Sequence, residues 1–235
     1  ALPMVISQAS DTIMMFVDRL FVSRLSDAHL AASMSGGLTQ FMVSSLFIGT
    51  VGYVNAVVAQ YYGAERFKKC SEAAFQGIIL SLLCYPIMLA VSPLMRYFFI
   101  FAGQSGEQVR LGYLYFQTLI FGSIFLVLRY ALAGFFLGIG RTTMVMIANI
   151  VGMLVNIPAN YVLIFGKLGF PAMGLRGAAL GTILGNGTIF LILMIFYLRG
   201  KNRSDFKTDK SLVFRPKILK TLIRFGVPAG IEMLL

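Results

Sequence analysis

Charge is what this sequence has least of. Only 12% of its residues are charged while 58% are hydrophobic, and a soluble domain carries roughly a quarter charged residues. Half that share leaves too little polar surface for 235 residues to face water, which excludes an ordinary soluble globular chain. Tryptophan is absent, and cysteine occurs only as Cys70 and Cys84. One lies at the end of an apolar run and the other within it, so neither a disulfide framework nor a metal pattern follows. The single histidine, His29, falls in a short connection without a second ligand nearby and reads as a solvated surface residue. Carboxylates are scarce as well, nine against twenty Lys and Arg. The net charge of +11 does not point to nucleic acid, because the cations sit in connections beside apolar runs, where they set membrane orientation. No nucleophile–base set, metal cluster or nucleotide loop speaks for an enzyme. Gly138-Ile139-Gly140 imitates part of a phosphate loop, but it follows an apolar helix rather than a strand and lacks the third glycine. Ala1–Ser10 has no basic n-region and its apolar segment runs on as a span, unlike a cleavable signal peptide.

What is present is a series of apolar runs, each long enough to cross about 30 Å of hydrocarbon as a helix. They cover 2–22, 33–58, 73–101, 111–137, 144–165 and 178–198, and a seventh begins near Ile218. The expected fold is therefore all-α and polytopic: a six-helix transmembrane lobe over 1–198, a basic connection over 199–217, and the start of a further lobe over 218–235. Thirteen Lys and Arg lie in the connections after the second, fourth and sixth spans, the last taken through Arg224, and five in the others. The positive-inside bias then puts the N-terminus and 199–217 in the cytoplasm of a plasma-membrane protein. Leu2-Pro3-Met4-Val5-Ile6 and Val227-Pro228-Ala229-Gly230-Ile231 share proline and isoleucine at one offset. Duplicated halves are common among transporters, so the chain is expected to stop shortly inside a second copy and to lack the C-terminal lobe that partners the first.

The first span is the least apolar and carries Ser7, Gln8, Ser10, Asp11, Thr12 and Asp18. Asp11 and Asp18 are seven residues apart and share a helix face. A carboxylate at bilayer depth costs at least about 2.5 kcal/mol on insertion scales, so such groups face a cavity, a proton path or a cation, or else lie at the interface with a partner such as Arg19. Arg129, inside the fourth span, needs an aspartate of the first span, water or an anionic substrate. In the fifth span Asn149, Gly152, Asn156 and Asn160 form one polar stripe, and Pro158 frees a backbone carbonyl. Amide oxygens, that carbonyl and a carboxylate are hard ligands suited to Na⁺; the same amides also serve as interhelical glue. Gly177, Gly181 and Gly185 make a small-residue ridge for close helix packing.

Val155-Asn156-Ile157-Pro158-Ala159-Asn160-Tyr161, then Ile164-Phe165-Gly166-Lys167-Leu168-Gly169-Phe170-Pro171, then Gly174 and Gly177-Ala178-Ala179, resemble the multidrug and toxic compound extrusion (MATE) family. Val17-Asp18, Ala59-Gln60-Tyr61-Tyr62-Gly63-Ala64 and Gly138-Ile139-Gly140-Arg141-Thr142 continue the resemblance over nearly the whole length. It implies the N-terminal lobe of a twelve-helix antiporter with a V-shaped cavity, exporting organic cations or amphiphilic drugs in exchange for Na⁺ or H⁺, without a cofactor. By this resemblance Asp18 is the first-helix aspartate, Pro3 the hinge proline before it, and Asn156 and Thr182 members of a cation site. Asn160 stands where some members have aspartate, which removes one carboxylate. Asp11 and Arg129 are candidates for the cavity or proton path, and Glu232 is too near Pro228 to match the deeper glutamate of some members. The alternative is a flippase for lipid-linked oligosaccharides, of related architecture; Arg129 favours it, while the acidic first span and the Asn156/Asn160 pair oppose it.

Overall fold

In hydrocarbon no water is available to the peptide groups, so every N–H and C=O must be satisfied inside the chain, and a helix does this locally. A computed structural model describes residues 2–235, apart from the side chain of Lys201. It contains α1 (Leu2–Ser23), α2 (Asp27–Gly52), α3 (Val54–Gly63), α4 (Phe67–Val91), α5 (Met95–Phe101), α6 (Gly106–Gly138), α7 (Thr142–Phe165), α8 (Leu175–Leu198), α9 (Gly200–Phe206) and α10 (Pro216–Leu234). Short 3₁₀ turns occupy Ser92–Leu94 and Thr208–Lys210. Among the described residues five stretches are long and apolar enough to cross a membrane: Asp27–Gly63, Phe67–Phe101, Gly106–Gly138, Thr142–Phe165 and Leu175–Leu198. The first expected span, α1, has 22 residues and so reaches about 33 Å, but its polar side chains keep it below that threshold.

Two expected spans are not single helices. The second breaks at Tyr53, between α2 and α3. The third breaks at Ser92–Leu94, where Pro93 opens a 3₁₀ turn because proline cannot donate to the preceding helical turn. The placement of His29 in a loop is also corrected. It lies in the first turn of α2, where Ser26 Oγ accepts from His29 N at 3.2 Å and meets its Nδ1 at 2.7 Å. Serine at this position satisfies helix N–H groups that lack a partner, and α2 consequently starts six residues before the apolar run.

Helix α6 is the hub, packed against α2, α3, α4 and α8, while α7 lies between α1 and α8. Phe116, Ile120, Ala131, Phe135 and Phe136 of α6 and Tyr197 of α8 are fully buried in this core. Glycine permits the close crossings. A Cβ at Gly177 would stand 2.5 Å from the carbonyl of Leu163 in α7, so the expected ridge is a packing surface. A second crossing was not anticipated. A Cβ at Gly49 of α2 would lie 2.6 Å from the Cα of Gly230 in α10, and Gly226 and Gly230, four apart, form the small-residue face that admits it.

The connections segregate by charge. Arg141, after α6, pairs with Asp205 at 3.3 Å, and the rings of Tyr62 and Phe67 meet Phe206. The three Lys/Arg-rich connections therefore share one end of the lobe. At the other, Phe21 of α1 packs on Phe165 of α7. The segment 199–217, expected as a polar connection, is folded and fastened to α4. Ser71 Oγ donates to Phe206 O at 2.7 Å, and Gln76 Nε2 donates to Val213 O at 2.8 Å. Arg215 N donates to Gln76 Oε1 at 3.0 Å, and Arg215 pairs with Glu72 at 3.0 Å.

The glycine crossings make a stability prediction for the full-length protein in detergent. Gly177→Ala should lower stability by about 1–3 kcal/mol through overpacking against α7. Gly187→Ala faces only Phe125, no closer than 3.8 Å, and should stabilise by about 0.5–1 kcal/mol through helix propensity. Thermal unfolding that ranks the two the other way would refute the close-crossing account.

Candidate functional site

The site is assembled by α1, α7 and α8. Asp18 and Asp11 share one face of α1, and the polar stripe of α7 turns toward it. Asn160 donates through Nδ2 to Asp18 Oδ1, and also to Asn156 Oδ1 at 3.3 Å. Thr182 of α8 donates to Asp18 Oδ2 at 3.0 Å. Each carboxylate oxygen therefore receives one neutral donor, and among the described residues no ion pair reaches Asp18. Asn156 and Asn160 are both fully buried. Asn156 Nδ2 and Asn160 Oδ1 are buried without a hydrogen-bond partner, a condition that most buried polar groups avoid.

The stripe divides by function. Asn149 is glue, donating to Ser7 Oγ on α1 at 2.5 Å, whereas Asn156 and Asn160 belong to the Asp18 cluster. The glycine ridge of α8 makes room for that cluster: a Cβ at Gly181 would fall on the Asn160 amide, and one at Gly185 would lie 3.0 Å from the Cβ of Asn156. The structure thus brings together Asp18, Asn156, Asn160 and Thr182, four residues that the sequence scattered over 165 positions. Pro3 lies in the first turn of the described α1, where no described helical hydrogen bond is lost to proline.

Asp11 takes the partner anticipated for Arg129. Arg129 Nη1 lies 3.3 Å from Asp11 Oδ1, with the arginine side chain 11% exposed and the aspartate 40% exposed. The guanidinium also stands over the Tyr130 ring at 5.2 Å. The pair occupies the junction of two cavities and lines both. One, of about 450 Å³, is lined by Asp18, Arg19, Tyr115, Thr182 and Asn186 among others. The other, of about 250 Å³, is lined by Ser7, Gln8, Asn55, Thr142 and Asn149 among others and extends toward the basic end. Asn55 and Asn186 escaped the sequence reading. Asn186 is one turn beyond Thr182, whose carbonyl it bonds at 3.0 Å, and that spacing is the signal that could have found it. Asn55 follows the helix break at Tyr53, which hydropathy alone conceals.

Chemically, the arrangement is a carboxylate with two neutral donors at the wall of a cavity of about 450 Å³. It can hold a proton, or accept a cation where the surrounding amides and hydroxyl turn oxygen toward it. The Asp11–Arg129 pair is different in kind, since its charge is balanced within the protein.

Comparison with known proteins places this geometry in a family. The model of the MatE family matches residues 3–162. A probable multidrug resistance protein NorM from Synechocystis is 30% identical over 240 residues, covering 100% of this chain and 51% of that protein. The multidrug resistance protein NorM of Vibrio cholerae is 29% identical, with 98% of this chain and 50% of that protein covered. Among solved structures, a MOP superfamily transporter from Pyrococcus furiosus, described as having a binding pocket of reverse polarity, superposes with TM-score 0.86 at 26% identity. That match covers 99% of this chain and 51% of the other. A MATE protein in the bent conformation gives TM-score 0.85 at 26% identity, with 100% and 52% covered. The chain spans about half the length of the curated relatives it matches. A multi-pass, all-helical membrane protein built as a six-helix lobe, the chain belongs to the MatE family.

Proposed function

We propose that this chain is the ion-coupling lobe of a secondary antiporter in the plasma membrane, one that exports organic cations or amphiphilic drugs in exchange for Na⁺ or H⁺. The observation that carries this reading is Asp18, lining a cavity and held, among the described residues, by the neutral donors Asn160 and Thr182. A carboxylate so placed has two low-cost states, protonated or beside a cation, because an unpaired buried charge is the expensive one. Asn160 is the adaptable member. Its terminal torsion is soft and roughly two-fold, and turning the amide over replaces a donor at Asp18 by the oxygen that is now unpartnered. With a proton on Asp18 that oxygen accepts it; with Na⁺ it becomes a ligand, alongside Asn156 and Thr182. Pro3 is assigned the hinge by which α1 answers the change of state. A second lobe, in keeping with relatives about twice this length, closes the drug cavity, since alternating access rocks one half against the other.

Asp11 and Arg129 are assigned the passage between the two cavities, along which the coupling ion moves to and from Asp18. Their balanced charge gives the flippase reading less support, because the cation that favoured it is neutralised by Asp11. The lobe is oriented with its basic end in the cytoplasm, in keeping with the thirteen-to-five division of Lys and Arg.

Three outcomes test these assignments in the full-length protein. Asp18→Asn keeps volume and hydrogen bonding but locks one neutral state, so it should insert and fold normally while losing gradient-driven efflux of a fluorescent organic cation. Running that assay with and without Na⁺ at fixed pH identifies the ion, and wild-type transport by Asp18→Asn would move the coupling site elsewhere, with Asp11 next in line. Arg129→Met should lower thermal stability, and adding Asp11→Asn should restore part of the loss. Contacting residues couple by about 0.5–3 kcal/mol, and the half-exposed Asp11 places this pair at the low end; strictly additive effects would deny the pair any energetic role. For orientation, Ser204→Cys should resist impermeant thiol reagents in intact cells and react after permeabilisation. The native Cys70 and Cys84 are buried and keep the background low. Labelling in intact cells would reverse the assigned topology.

A further inference from the structure

The basic end of the lobe holds a third cavity, of about 1080 Å³, between the connection after α3 and the segment 199–217. Six cations line it, Arg66, Lys68, Lys69, Lys207, Arg215 and Lys217, against the carboxylates Glu65, Glu72 and Asp205. Two of these carboxylates are already engaged, Glu72 with Arg215 at 3.0 Å and Asp205 with Arg141 at 3.3 Å. Five cations are left facing Glu65 alone, and none of the five forms an ion pair among the described residues. Like charges gathered in one cavity repel one another, and an anion between them removes that cost.

The cavity is built rather than accidental. Its two walls come from segments far apart in sequence and are fastened by the buried polar groups of α4. Ser71 and Gln76 are fully buried and Glu72 is 5% exposed. Their bonds to Phe206 O, Val213 O, Arg215 N and the Arg215 guanidinium hold the wall carrying Lys207 and Lys217 opposite the wall carrying Arg66, Lys68 and Lys69. Tyr197 closes the arrangement from below, its hydroxyl donating to Ser71 O at 2.9 Å. With the backbone of both walls fixed, only the exposed side chains of the cations reorder to receive a ligand, which limits the cost of binding.

The surroundings indicate the ligand's other half. Leu212, Val213 and Phe214 are 52%, 44% and 55% exposed, an apolar run inside an otherwise polar connection. They immediately precede the first turn of α10, and Phe214 lines the cavity together with Phe67 and Lys68 at the start of α4. Clustered Lys and Arg next to an exposed apolar run match a ligand that is anionic at one end and apolar at the other.

We propose that this cavity binds a phosphate-bearing anion, and that its source is the headgroup of an anionic phospholipid of the adjoining leaflet. The phosphate oxygens take the place between the lysines and Arg66, and the acyl chains leave along Leu212, Val213 and Phe214. This site is separate from Asp18 and stands whether or not the coupling assignment holds.

The test uses the full-length transporter, delipidated in detergent and titrated with phosphatidylglycerol, phosphatidylcholine or inorganic phosphate while thermal unfolding is followed. Lys68→Gln, Lys69→Gln and Lys217→Gln are combined in one variant. Arg24→Gln, Lys167→Gln and Arg176→Gln, at the opposite end, form the control; equal melting temperatures before titration show that all three proteins fold. Phosphatidylglycerol should raise the melting temperature of the wild type and the control by several degrees, whereas phosphatidylcholine should not. The Lys68/Lys69/Lys217 variant should lose most of the rise, and native mass spectra of it should show less bound phosphatidylglycerol. Should inorganic phosphate alone reproduce the rise, and the same variant abolish it, the site stands with a soluble anion as its source. A rise as large in that variant as in the wild type, or none with either anion, overturns the proposal.

Discussion

The close approach of α7 and α8 is the constraint on which the site rests. Two helices separated by ordinary side chains keep their axes 8–10 Å apart, and small residues let them come closer. Gly177, Gly181 and Gly185 supply that freedom on one side. The room at Gly181 is taken by the amide of Asn160, so the same absence of a side chain that seats the helix also places a polar group. Asn160 can then reach across to Asp18 while Thr182, one residue past Gly181, approaches the other carboxylate oxygen. A larger residue at Gly181 would therefore act on stability and on the site together. In a membrane, where apolar burial gives helices little reason to associate, this dual use is economical: van der Waals contact and a polar cluster are built from one ridge.

Two carboxylates seven residues apart on α1 live under different rules. Asp11 has a guanidinium at 3.3 Å and shares its charge with Arg129; a proton or cation arriving there would have to displace an existing partner. Among the described residues Asp18 has an amide and a hydroxyl as partners, whose dipoles steady a charge without cancelling it. The coupling role proposed for Asp18 requires the second condition, since a fixed countercharge competes with the ligand in every state. The difference comes from α6 alone, because Arg129 reaches Asp11 and no cation on α7 or α8 reaches Asp18 among the described residues. Separate cavities on either side of the ion pair extend the same division of labour along the axis of the lobe.

Hydropathy made the spans legible, because each has to satisfy its own backbone across the same thickness of hydrocarbon. The polar residues inside them were legible too, as departures from an apolar background: Asp18, Asn156, Asn160 and Arg129 each stand out for that reason. What periodicity does not carry is partnership. Asn149 and Asn160 lie on one stripe, yet the first bonds Ser7 and the second Asp18, and only the register of α1 against α7 decides which is glue and which is site. The same limit hid the folding of 199–217, whose charge suggested a solvated connection. Ser71, Glu72 and Gln76 on α4 capture that segment from more than 130 residues away, and nothing local to either stretch announces it. Some signals were local and were read for another purpose. Pro93 marks a helix break that its apolar neighbours concealed, and Gly226 with Gly230 forms a small-residue face in a stretch whose proline and isoleucine drew the comparison with the first span. A polar group in an apolar span therefore announces that it has a partner, while a polar group in a polar connection announces nothing.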